Sequence, residues 1–214
     1  MVFLKKIYYL LIIINIIILA ISFRKIKNPY FIFAILLPLV LITQILGDLN
    51  KAYEFNRYPV FHIYIPVEFG LLSAYYYHVF KNKSKKKLVL FSSFLFIISL
   101  SIWYVLYPQS FYKSGFMDFV LLSLFIIIYT IAYFVEEISN EKEIGHYQNP
   151  SLWINLGNLF FYTGCLLIMG FNNYLEHFYP SLSQKLIYIN YFLNLVLYSF
   201  YIKAFLCIWT ARKL

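Results

Sequence analysis

Long apolar runs broken by short polar punctuation set the rhythm of this chain. The runs lie at about 7–22, 30–47, 59–80, 88–106, 116–135, 150–170 and 185–210. Between them stand RKIKNP, GDLNKAYEFNRYP, KNKSKKK, YPQSFYKSG, EEISNEKEIGHYQNP and FNNYLEHFYPSLSQ. A helix needs roughly 20 mostly apolar residues to cross a hydrocarbon core about 30 Å thick. In lipid every backbone N–H and C=O must be satisfied internally, which a helix does within one segment. The pattern therefore predicts an all-α membrane protein, a seven-transmembrane-helix bundle forming one domain over residues 1–214.

Composition agrees: 62% of residues are hydrophobic, 22% aromatic and 13% charged, with a mean hydropathy of +0.72. A soluble domain carries roughly 25% charged residues, so too little polar surface is left for a globule in water. The net charge of +9 would suggest nucleic acid in a soluble protein. Here the charge sits in short connections, above all Lys81, Lys83, Lys85, Lys86 and Lys87. That pattern reads as a topology signal that attracts anionic lipid headgroups, and no nucleic-acid partner is expected.

Lysine and arginine also orient the bundle. One side carries twelve of them: Arg24, Lys25 and Lys27, the five loop lysines, Lys142, Lys203, Arg212 and Lys213. The other carries six: Lys5, Lys6, Lys51, Arg57, Lys113 and Lys185. The richer side should be cytoplasmic, which places the N-terminus outside and the C-terminus in the cytoplasm. Lys5-Lys6, an apolar run and Ala20-Ile21-Ser22 could pass for a cleavable signal. Cleavage would put the five-lysine loop outside, against the strongest charge bias in the chain. Cys165 and Cys207 should differ in depth by about 15–20 Å, too far for a disulfide.

Polar groups within the runs are the candidates for function, because an ionisable residue in lipid costs about 2.5–3.5 kcal/mol on insertion scales. Glu68 lies nine residues inside the third run, about 13–14 Å deep, where it is either protonated or paired. Tyr64 and Tyr75 share its face at i−4 and i+7. The sixth run aligns Asn155, Asn158 and Tyr162, and the seventh aligns Asn190, Asn194 and Tyr198 with Tyr201, each as one continuous stripe. Glu68, Asn158 and Asn194 fall near mid-depth, whereas Gln44, Asp48, His62, Asp118 and Asn190 lie shallower, towards the outside. Two readings stay open: a polar cavity facing outward, or interhelical hydrogen bonding between separate neighbours. Pro66 removes the bond to the His62 carbonyl, which is either a kink or part of a site. Gly70 with Ala74 and Gly157 with Gly164 make faces for close helix packing.

Sharper chemistries fail on spacing. His62 and Glu68 are six apart and point roughly 120° away from each other, so they are not a metal pair. There is no H-E-x-x-H, nucleophile elbow or Gly-rich phosphate loop, and no metal or cofactor is expected. Lys203 lies too near the inner end for a retinal linkage. Asn-Pro at 28–29 and 149–150 and Ile-Tyr-Ile at 63–65 and 187–189 hint at a three-plus-one-plus-three repeat, as in SWEET-type sugar transporters. Pro108-Gln109 stands in the wrong place for a PQ-loop.

His62-Ile-Tyr-Ile-Pro-Val-Glu68-Phe-Gly-Leu-Leu with Tyr75-Tyr76 resembles a family of small uncharacterised multi-pass membrane proteins from Bacteroidota. Asn149-Pro-Ser-Leu-Trp153-Ile-Asn-Leu-Gly157, Phe161-Tyr162-Thr-Gly164 and Tyr191-Phe-Leu-Asn194-Leu-Val-Leu-Tyr198 are similar to the same family. The likeness covers most of the chain and departs in the fifth run, where Asp118 stands in place of Glu. It implies a bacterial cytoplasmic (inner) membrane and carries no activity with it. The expectation for function is a sensor or transporter that binds a small molecule or ion around Glu68. The alternatives are a module that assembles with a membrane-protein partner and an intramembrane enzyme using Glu68 or Asp118, for which no nucleophile is evident.

Overall fold

The structure is a computed structural model that describes residues 2–26, 28–113, 117–138 and 146–210. Seven α-helices account for nearly all of it: α1 (Val2–Ile21), α2 (Phe31–Ala52), α3 (Tyr58–Val79), α4 (Lys83–Leu106), α5 (Met117–Ile138), α6 (Pro150–Phe178) and α7 (Pro180–Thr210). Single turns of 3-10 helix at Phe23–Lys25, Pro108–Tyr112 and His146–Gln148 lie in the connections.

Local chemistry explains where the helices start and stop. Asn82 and Asn149 cap α4 and α6, their side-chain oxygens accepting from Ser84 N at 2.8 Å and Ser151 N at 3.0 Å. Such caps satisfy donors that a helix start leaves orphaned. The lysines that the sequence places in a loop occupy the first turns of α4 from Lys83 on, an unfavourable end for cations. Glu136 on α5 compensates: it accepts from the backbone N–H of Lys81 and of Asn82 and pairs with Lys85 at 3.3 Å. At the opposite end α2 closes with Phe55 N donating to Asn50 O at 2.7 Å, while Glu54 takes a left-handed φ of 59°. This is the Schellman arrangement, and its left-handed position favours glycine.

The helices pack as a bundle in which α1 lies against α2 and α7, and α3 against α2, α4 and α5. α5 also meets α4 and α6, and α6 lies along α7. The α6–α7 approach depends on glycine. A Cβ on Gly157 would sit 3.0 Å from Phe200 Cβ, and one on Gly164 would sit 2.6 Å from Leu193 Cδ1. α6 and α7 run for 29 and 31 residues, about 43–46 Å, well past their apolar parts. Residues 171–184, expected as a loop, are therefore mostly helix, and the chain reverses only at Tyr179–Pro180.

Among the described residues six helices are long and apolar enough to cross a membrane, and α3 is the one left out. With 22 residues it matches its neighbours in length. Its tyrosines, prolines, His62 and Glu68 dilute its hydropathy. Yet one face is deeply buried, with His62, Ile65, Glu68, Phe69, Leu72, Ser73, Tyr75 and Tyr76 all turned into the bundle. The helix without a long enough apolar stretch is thus the one the others surround on that face.

Candidate functional site

Three polar clusters radiate from α3. The first surrounds Glu68, about 15 Å along α3 from Tyr58. Tyr162 on α6 donates its hydroxyl to Glu68 Oε1 at 3.0 Å. The carboxyl lines a cavity of about 250 Å³ that all helices but α4 help to wall. Tyr8, Tyr64, Asn190, Asn194 and Tyr198 surround its deeper part, while Gln44, Arg57 and Tyr58 place its mouth at the α2–α3 end. Asn194 donates to Asn190 at 2.9 and 3.0 Å, so the α7 amides brace each other. Tyr64, one turn before Glu68 on α3, contributes a buried hydroxyl to the same lining, close enough to interact with the Glu68 carboxyl. Free volume walled by aromatic rings with a few convergent polar groups is the usual form of a small-molecule pocket.

The second cluster holds His62 and Asp118, which do not line this cavity. They lie on a different face of α3, His62 Nδ1 standing 2.6 Å from Asp118 Oδ2 with side chains 2% and 1% exposed. Nε2 meets the Lys113 carbonyl at 3.1 Å. A carbonyl oxygen only accepts, so Nε2 must donate. Asp118 also accepts from the Tyr104 hydroxyl at 3.1 Å and from Phe119 N at 2.9 Å. Phe111 and Tyr104 close over the imidazole edge. Both ring nitrogens are thus engaged and no site is left on them for a substrate proton. The pair straps the start of α3, the end of α4 and the start of α5 together.

The third cluster lies deeper. Tyr201 on α7 donates to Asn158 Oδ1 at 2.6 Å, and Asn158 Nδ2 donates to the Tyr76 hydroxyl at 3.1 Å. Thr130 gives its own proton to Ile126 O at 2.8 Å, so Tyr76 donates to Thr130 across 2.7 Å. One directed chain thereby ties α7, α6, α3 and α5. Beside it Asn155 Nδ2 donates to Ser151 O at 2.8 Å and reaches the Tyr75 hydroxyl at 3.3 Å. Asn155 and Asn158 have no exposed surface.

The structure therefore brings Glu68, Tyr64, Asn190, Asn194 and Tyr198 to one cavity, with Tyr162 bonded to its carboxyl. It sends His62 and Asp118 to the strap, and Tyr75, Asn155 and Asn158 to the deep network. Tyr8, Arg57 and Thr130 were not singled out by the sequence. Tyr8 sits in an unremarkable Tyr-Tyr pair, and Thr130 becomes meaningful only once α3 is docked beside it. Asp48 is committed at the surface, where it pairs with Lys5 and accepts from Tyr9, both at 2.5 Å. Among the described residues no three His, Cys, Asp or Glu side chains gather as a metal site requires, and both cysteines are free. Comparison with family models, with curated proteins and with solved structures finds no match.

Proposed function

We propose that this chain is a seven-span protein of a bacterial cytoplasmic membrane that binds a small molecule or ion, as a sensor or transporter, in the cavity around Glu68. In this reading α3 is the seventh span, the N-terminus and the cavity mouth face outward, and the lysine-rich ends of α3 and α4 face the cytoplasm. The asymmetry of Lys and Arg supports that orientation. The resemblance to a Bacteroidota family supports the choice of membrane.

One observation carries the reading: a carboxyl at mid-helix lines free volume, whereas Asp118, also deeply buried, is fully bonded. A residue of this kind inside a membrane span is expected to be expensive and retained for function. The Tyr64 hydroxyl adds a second buried polar group to the lining of the same cavity.

The test is accessibility. In a variant with Cys165 and Cys207 replaced by alanine, Asn190→Cys should react with a membrane-impermeant maleimide added from outside. Glu68 should be labelled by dicyclohexylcarbodiimide, and Glu68→Gln should abolish that label. Reaction of Asn190→Cys only from the cytoplasmic side would sink the orientation. Absence of both reactions would sink the cavity.

A further inference from the structure

A second recess lies on the other side of α3, where nothing in the bundle fills it. Between α3 and α4 runs a groove of about 570 Å³, floored by Phe69 and Phe96 with ring centroids 3.9 Å apart. It extends along α3 from Pro66 to His78 and along α4 from Val89 to Tyr104. Those stretches measure about 18 Å and about 22 Å, slightly more than one leaflet of a core about 30 Å thick.

One feature of the groove has no explanation inside this chain. Gly70 stands in the middle of α3, where glycine costs about 1 kcal/mol relative to alanine. A Cβ there would meet nothing within 4 Å, unlike Gly157 and Gly164, whose missing side chains admit a neighbouring helix. One turn on, Ser73 lines the same wall. A smooth, deepened wall suits an occupant from outside the chain. The rest of the lining is apolar or aromatic, so the body of that occupant is apolar.

The inner mouth of the groove is basic. Lys86 lies on the α4 face that continues through Leu90, Ser93 and Ile97, and its ammonium sits 5.3 Å from the centre of the Tyr77 ring, itself part of the groove wall. His78 lines the same end, and Lys83 and Lys87 are exposed beside it. Lys85 is turned away, to Glu136 and the Ala132 carbonyl. We infer that this groove is a binding site for an anionic phospholipid, one acyl chain lying along Gly70, Ser73 and Ala74 and the phosphate held at Lys86 and His78. This rests on the membrane reading but not on the Glu68 cavity, so Glu68→Gln should leave it untouched.

The experiment is native mass spectrometry of the full chain released from detergent, titrated with phosphatidylglycerol or phosphatidylcholine of identical acyl chains. One phosphatidylglycerol per chain should be retained in preference to phosphatidylcholine. Lys86→Gln should reduce that preference about fivefold, the effect of one basic residue near a charged headgroup. Lys51→Gln, at the opposite end of the bundle, should not change it. Gly70→Leu, whose side chain would project into open space, should remove both lipids, and Ala74→Leu on the same exposed face provides a second obstruction should the first variant express poorly. Equal retention of the two lipids, or retention unchanged by both obstructing variants, would overturn the proposal. So would a stable dimer that Gly70→Leu dissociates, since that would make a second copy the occupant.

Discussion

Glu68 and Asp118 are both carboxylates held within the bundle near α3, yet their surroundings are opposite. Asp118 accepts from an imidazole, a phenol and a backbone amide, and its side chain is 1% exposed. Glu68 accepts from the Tyr162 phenol and faces a cavity. A buried charge that is fully bonded holds helices together; removing one partner leaves the other uncompensated. A buried carboxyl beside unfilled space has capacity to spare. The contrast separates a fastening from a site more clearly than depth or charge does.

That contrast can be broken by mutation. The largest effect should come from Asp118→Ala, which orphans His62 Nδ1 and the Tyr104 hydroxyl. A loss of about 3–5 kcal/mol is expected for half of a buried pair, read from SDS or thermal unfolding in detergent. A loss below about 1 kcal/mol would mean that the pair fastens nothing. Next comes Tyr201→Phe, which cuts the directed chain through Asn158, Tyr76 and Thr130. Membrane hydrogen bonds average about 0.6 kcal/mol with a maximum near 1.7, so about 1 kcal/mol is expected in the same assay. Glu68→Gln keeps an acceptor for Tyr162 and should cost less than about 1 kcal/mol while abolishing carbodiimide labelling. If it unfolds the protein as severely as Asp118→Ala, the two carboxylates do the same job. The smallest effect belongs to Lys5→Ala. Lys5 and Asp48 are 31% and 39% exposed, so the loss should be within about 1 kcal/mol and should shrink as salt is added.

The helices were legible because a span needs a long apolar run, and each of the seven runs appears as a helix. α3 is the least legible by hydropathy, for the same residues that make it informative: His62, Glu68 and its tyrosines are the polar groups the other helices cover. Spacing also shows which residues share a stripe, as with Asn155, Asn158 and Tyr162. It does not show which neighbour each meets. Tyr162 reaches Glu68, whereas Asn158, one turn away on the same stripe, meets Tyr76 and Tyr201. Depth placed His62 and Asp118 near the mouth of the expected cavity, but the rotation of α3 against α5 decides whether they face that cavity or each other. Azimuth is a property of packing, and a single sequence carries little of it. The extension of α6 and α7 was hidden for another reason: polar residues outside lipid can be helical as readily as looped.

That extension has a mechanical consequence. α7 continues as one helix from Pro180 to Thr210, and Asn190, Asn194, Leu197 and Tyr198 form one wall of the Glu68 cavity part-way along it. No break in the helix separates its Pro180 end from that wall or from Thr210, so the cavity wall is the middle of one unbroken rod packed along α6.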